Sequence, residues 1–171
     1  NSIAPGGVAV IARQELGAHL VPLDPDCAQH HEAGRMVHAV VGLGKATCLH
    51  IVGVYGHPNA STDREQRRKN EKLLEDGCNT ISGLGAQPAL LAGDLNVLPG
   101  KSTILQTHLA SGLLTDCARV QAALQGVEEP DLTCFPKDSS RGTRIDYIIC
   151  NVVGALGFHY FCRPGLRNSH A

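Results

Sequence analysis

Apolar residues along the chain fall into short runs divided by glycine, proline and polar clusters, and the spacing within each run predicts its element. After Gly6-Gly7, the β-branched run Val8, Ala9, Val10, Ile11, Ala12 predicts a short, largely buried strand. Residues 18–34 hold two prolines, acidic residues and the Gln29-His30-His31 run, and predict a loop. Residues 35–43 and 46–55 are strand-like and are joined through Gly42-Leu43-Gly44-Lys45, a hairpin signature. In the second run Thr47, Leu49, Ile51 and Gly53 alternate with Cys48, His50, Val52 and Val54. Both sets are mostly apolar, so that strand is expected to be central and covered on both faces.

The strongest helix signal begins at Thr62. Thr62 and Glu65 have capping-box spacing, and Asp63 adds negative charge at the helix start. Polar residues run on to Lys72, while Leu73, Leu74, Cys78 and Ile81 supply an apolar side, and Gly83 and Gly85 end the element. Pro88 introduces a brief apolar strand over 89–92, which stops at Gly93-Asp94-Leu95-Asn96. A shorter helix is predicted over 101–111, followed by Leu113-Leu114-Thr115-Asp116. Residues 132–135 are a short strand candidate, and a polar loop over 136–142 leads to a strand over 144–151 with Asp146 near its start. No repeat, low-complexity tract or linker divides the chain, so residues 1–171 are expected to form a single domain. Hairpins mixed with helices, without regular βαβ alternation, predict an α+β layered sandwich over a doubly wound sheet.

Composition narrows the function classes. With 43% hydrophobic and 18% charged residues the chain is globular, not disordered. Its net charge of −1 provides no overall field for nucleic acid, so a polyanion would need a local basic patch. Arg64, Arg67, Arg68, Lys69 and Lys72 are the candidate patch, with a solvated helix face as the ordinary reading. No apolar run approaches the ~20 residues of a spanning helix, and residues 1–7 do not resemble a signal peptide. Seven cysteines, odd in number and without a C-x-x-C pair, argue against a disulfide framework and for small buried hydrophobes. An intracellular location, nuclear or cytoplasmic, is the corresponding expectation. Cys27, His30 and His31 lack a second ligand pair at zinc spacing.

Candidate chemistry lies where polar residues interrupt the ends of apolar strands. Tyr55 closes one and is followed by Gly56-His57-Pro58-Asn59; Asp94 and Asn96 close the next. Asp146 sits within Arg144-Ile145-Asp146-Tyr147-Ile148, and His170 lies near the end of the chain. Singly, each has a plain structural use: a turn aspartate, an edge aromatic, a surface ion pair with Arg144, a solvated histidine.

In this order the segments resemble the endonuclease/exonuclease/phosphatase superfamily, which includes DNase I-like and exonuclease III-type enzymes. Gly93-Asp94-Leu95-Asn96 resembles its G-D-[FL]-N motif and Arg144-Ile145-Asp146-Tyr147 its R-[IL]-D-[YH] motif. Residues 7–11 resemble its "GGVA" strand, and residues 54–59 its Tyr-x-Pro-Asn turn with one residue inserted. Leu114-Thr115-Asp116 resembles its L-x-D element, residues 132–136 its aromatic strand, and Asn168-Ser169-His170 its S-D-H triplet.

The resemblance implies two mixed, largely antiparallel sheets packed face to face with helices outside. It implies phosphodiester hydrolysis dependent on Mg2+ or Mn2+, endonuclease-like on DNA. Such a reaction needs an activated water, charge neutralisation and in-line geometry. Asp94 would activate or orient the water, and Asn96 would ligate the metal or donate to the phosphoryl group. His170 would donate to the phosphate, with Asp146 fixing its orientation and tautomer. Tyr55 would add a hydroxyl, Asn59 and Arg144 substrate contacts, and Asp94, Asn96 and His170 would form the metal set.

The family's opening strands, which carry an Asn and a Gln-Glu, are expected to precede residue 1. Gln14-Glu15 follows the "GGVA" strand and does not replace them. The family's last strand is likewise expected beyond Ala171, leaving the sandwich incomplete at both ends. Ser169 stands where the family has Asp, which removes a negative charge from the metal site. Two alternatives stay open: hydrolysis of a small phosphoester such as a phosphoinositide or nucleotide, and a degenerate, non-catalytic domain of the same fold.

Overall fold

The computed structural model describes residues 7–44, 47–135 and 142–157. Its longest helix shows how local chemistry and packing agree. That helix, Arg64–Gly83, is capped by Asp63, whose Oδ1 accepts the backbone N–H groups of Glu65 at 2.8 Å and Gln66 at 2.9 Å. The cap therefore sits one residue later than the Thr62 capping box predicted. Thr62 instead donates its hydroxyl to the Asn59 carbonyl in the preceding turn. Leu73, Leu74, Cys78 and Ile81 are fully buried, as their spacing requires.

In chain order the elements are β1 (His19–Leu20), α1 (Pro25–Glu32), β2 (Met36–Gly44), β3 (Thr47–Tyr55), α2 (Arg64–Gly83) and β4 (Ala89–Asp94). Then come α3 (Thr103–Ala110), β5 (Leu114–Asp116), α4 (Cys117–Leu124), β6 (Asp146–Asn151) and α5 (Val152–Gly157). The strands form a six-stranded sheet in the order β1-β2-β3-β4-β6-β5. Only β3 and β4 run parallel; the other neighbours are antiparallel. The molecule is thus α+β with a mixed sheet, and β3 is central, as its two apolar faces required.

α2 packs its apolar stripe on one face of the sheet, against Val52, Val54, Leu91 and Ile149. A smaller cluster of Leu49, Leu90, Cys117 and Cys150 lies on the other face, with Ile51, Ala92, Ile148 and Ala155 packed against it.

Several expectations change. Residues 8–12 form no strand: Val8 and Val10 pack over Gly53 on the sheet face, while Ile11 is exposed. Among the described residues the run packs on the sheet without joining its ladder. The loop expected over 18–34 contains β1 and α1, because Pro25 occupies the first turn of a helix, where a missing N–H costs nothing. Gly34, at φ +67°, then turns the chain into β2. Residues 132–135 contribute only an isolated bridge, Cys134 to Thr143. α4, absent from the sequence reading, starts where the Asp116 carboxylate accepts the Ala118 N–H at 3.1 Å. Of the two sheets expected, one is formed by the described residues.

Candidate active site at the ends of three strands

Strand register brings the site together. Tyr55 ends β3 beside Asp94, which ends β4, and Asp94 in turn faces Asp146, which begins β6. Residues in register share a face, so all three side chains lie on the face opposite α2. They occupy one end of three adjacent strands.

The backbone at that end is held by close contacts. Gly93 has φ +145°, and a Cβ there would fall 1.9 Å from the Val54 carbonyl oxygen. A Cβ on Gly56 would fall 2.3 Å from the Leu95 carbonyl oxygen. Glycine is therefore needed where the chains leaving β3 and β4 touch. Beyond Asp94 the chain turns through Asn96, at φ +50°, whose N–H donates to Asp94 Oδ1 at 2.9 Å. Asn96 Nδ2 donates to the Gly56 carbonyl at 3.1 Å, which aims the oxygen end of the amide away from that carbonyl.

Three residues that the sequence reading left out support this arrangement. Asn70 of α2 is buried; its Oδ1 accepts the His57 N–H at 2.7 Å and its Nδ2 donates to the Leu95 carbonyl at 3.0 Å. One side chain thus ties both strand-end loops to the helix. A polar residue three positions before Leu73, on the apolar stripe, was the available signal. Arg35 donates to the Gly56 carbonyl at 3.0 Å and stacks on the Tyr55 ring, 4.6 Å from its centroid. Thr133 accepts the N–H groups of Ile145 and Asp146 at 3.1 Å each, fixing the start of β6.

Electrostatics differ between the carboxylates. Burial, reinforced by the Asp146 charge, pushes the Asp94 carboxyl upward against the opposing hydrogen bond from Asn96. Asp146 itself is exposed. Nearby, His57 is pushed down by burial and then by the positive charge of Arg35.

The remaining site candidates are distributed differently. Arg144 is buried, and its guanidinium grips Asp116 at 2.7 and 2.6 Å while lying over the Tyr147 ring. Its guanidinium is thus held inside the fold. Asn59, at φ +62°, is exposed and uses its carbonyl to receive the Thr62 and Asp63 N–H groups. His170, with Asn168 and Ser169, lies outside the described residues. Gln14 and Glu15 form an exposed 3-10 turn. On α2, Lys69 pairs with Glu65 and Lys72 with Asp76, whereas Arg64 and Arg68 are exposed. His30 is paired with the buried Asp76 at 2.9 Å. A cavity of about 280 Å³, lined by Leu23, Val37 and His38 among others, contains none of the strand-end residues.

Comparison with solved structures places this architecture. A variant of the 3′ phosphatase NExo from Neisseria, bound to a product DNA hairpin, matches with a TM-score of 0.59 at 19% identity over 81% of this chain. An AP endonuclease, LMAP, from Leishmania major matches with a TM-score of 0.59 at 15% identity over 82% of this chain. The fold is DNase I-like. A humanized TDP2 from D. rerio carrying 14 mutations shares it, with a TM-score of 0.54 at 17% identity over 81% of this chain. The chain spans 59%, 54% and 54% of these three structures respectively. No family model matches it. No curated protein matches it in sequence. Within this DNase I-like chain, no helix of the described residues is long and apolar enough to cross a membrane.

Proposed function

We propose that the strand-end cluster is a phosphodiester-hydrolysing site, endonuclease-like toward DNA and dependent on Mg2+ or Mn2+. The observation that carries this reading is the alignment of Tyr55, Asp94 and Asp146 on one face of three adjacent strands, with Asn96 held just beyond. Among the described residues no three His, Cys, Asp or Glu side chains form a metal cluster. The donor set nevertheless suits a hard divalent cation, since it comprises two carboxylates and an amide oxygen. Asp94 and Asn96 would hold the ion beside Asp146, and its charge would offset the burial and the Asp146 repulsion that raise the Asp94 carboxyl. When bound, the ion supplies charge neutralisation on the phosphoryl oxygens and acidifies a water.

The chain's own residues do the rest. Asp94, half-buried and raised in proton affinity, takes a proton from the attacking water or orients it. Tyr55, steadied by the Arg35 guanidinium, offers its hydroxyl to a phosphoryl oxygen. Arg144 sets the start of β6, and through it Asp146, by its pairing with Asp116. Asn59 belongs to the proposal as an exposed contact to substrate, and His170 as the donor to the phosphate.

The test is nicking of supercoiled plasmid with and without Mg2+, with Asp94→Ala alongside. Metal-dependent nicking that falls on the order of 100-fold in the variant is expected. Nicking that survives the substitution or chelation removes this site from consideration. A folded chain without activity supports the degenerate reading. Parallel assays on small phosphoesters separate the DNA reading from the alternative substrate class, which the paired lysines of α2 and the net charge of −1 also suit.

A further inference from the structure

β5 and β6 are antiparallel, with Thr115 opposite Cys150 and Asp116 opposite Ile149. At Asp116 the chain turns into α4, and this brings its first residue, Cys117, back against Cys150. The two sulfur atoms are 3.2 Å apart, with both side chains buried in the cluster formed with Leu49 and Leu90. A disulfide bond is about 2.05 Å long, so the sulfurs need approach by only about 1.1 Å to bond. We propose that Cys117 and Cys150 form a dithiol that hydrogen peroxide converts into an intramolecular disulfide.

The chemistry assigns the two sulfurs unequal roles. Cys117 donates its S–H toward Cys150, which favours the thiolate on Cys150 and holds Cys117 as the thiol. The Cys150 thiolate attacks one oxygen of hydrogen peroxide; the O–O bond breaks, Cys150 becomes a sulfenic acid, and the hydroxide that leaves takes up the proton Cys150 shed on ionising, as the first water. Cys117 then loses its proton and attacks the Cys150 sulfur. The S–O bond breaks, hydroxide takes up that proton as a second water, and the S–S bond forms. Two thiols are oxidised by two electrons, and one hydrogen peroxide is reduced to two waters.

Burial slows this reaction without preventing it. β5 is a three-residue edge strand, and edges open at a lower free-energy cost than the middle of a sheet. The link would fasten the start of α4 to β6 beside Asp116, the residue that caps α4 and grips Arg144. It depends on the fold alone and stands or falls separately from the hydrolase reading.

The experiment treats the reduced 171-residue chain with hydrogen peroxide at neutral pH, alkylates the remaining thiols and maps the peptides. Loss of two hydrogen masses is expected, with Cys117 and Cys150 both protected from alkylation. The thermal midpoint should rise by roughly 5–10 °C, and a phosphine reductant should reverse the rise. Cys117→Ser should abolish the cross-link and leave a sulfenic acid on Cys150 that dimedone traps. Cys162→Ser should leave the cross-link intact, which matters because Cys162 shares a tryptic peptide with Cys150. Cross-links in other pairs, oxidation to sulfinic acids without a link, or a link that forms only in urea would each overturn the proposal. If Cys117→Ser does not fold, the wild-type peptide map alone decides between these outcomes.

Discussion

At Gly93 the molecule has no space for a side chain, since the next strand's carbonyl occupies the place of a Cβ and φ is +145°. Gly93→Ala should therefore cost about 3 kcal/mol or more in urea unfolding, with the β3–β4 pairing disrupted first. Asp94, one residue on, carries a linkage prediction. Its folded pKa is raised above the ordinary 3.8 by burial and then by Asp146. A raised folded value means that its contribution to stability is present below the unfolded pKa and lost as pH rises through the folded one. Asp94→Asn should thus match wild type in thermal midpoint at acid pH and exceed it at neutral pH, while losing the proposed plasmid nicking. Equal midpoints across the range would show that no such strain exists. Tyr55, Asp94, Asn96 and Asp146 were legible as polar residues at the ends of apolar runs. The role of Arg144 was not, because its partner Asp116 lies 28 positions away and only folding pairs them.

At the scale of elements, α2 was legible because its apolar positions repeat at helical spacing and its start carries a cap. Asp63→Ala removes the acceptor of two N–H groups and should destabilise the protein by about 1 kcal/mol, read from the urea midpoint. Thr62→Ala, which removes only a hydroxyl bond within the preceding turn, should cost less. α1 forms where a loop is expected because proline both breaks helices and starts them, and the choice depends on what precedes it. α4 escaped because Asp116 belongs to two elements at once, closing β5 and capping the helix that follows. The run Val8, Ala9, Val10, Ile11 is apolar and β-branched like a buried strand, yet it lies over Gly53 without joining the ladder. Apolar, β-branched composition favours a packed surface and says nothing about whether backbone groups find partners.

Across the whole molecule the strand order sets a gradient of stability. β3 and β4 have neighbours on both sides and lie under α2, whereas β1 is two residues long and β5 three. Hydrogen exchange should therefore be slowest at Val52, Val54 and Leu91, and much faster at Leu20 and Thr115. Uniform protection across the sheet would contradict this ordering. The position of β6 between β4 and β5 brings both proposed sites together, because it sets Asp146 opposite Asp94 and Cys150 against Cys117.

The sequence by itself determined the hairpin of β2 and β3, helix α2, the apolar strand that stops at Asp94, and the α+β class. These rest on local periodicity, capping and turn chemistry, which act between residues a few positions apart. Tertiary structure alone decided the insertion of β6 beside β4 and the bridging role of Asn70. It also decided the burial of Arg144 on Asp116 and the meeting of Cys117 with Cys150. Each of these joins residues far apart in the chain. Hydrogen bonding, desolvation and packing act on distance in space, and the linear order of residues does not encode that distance locally.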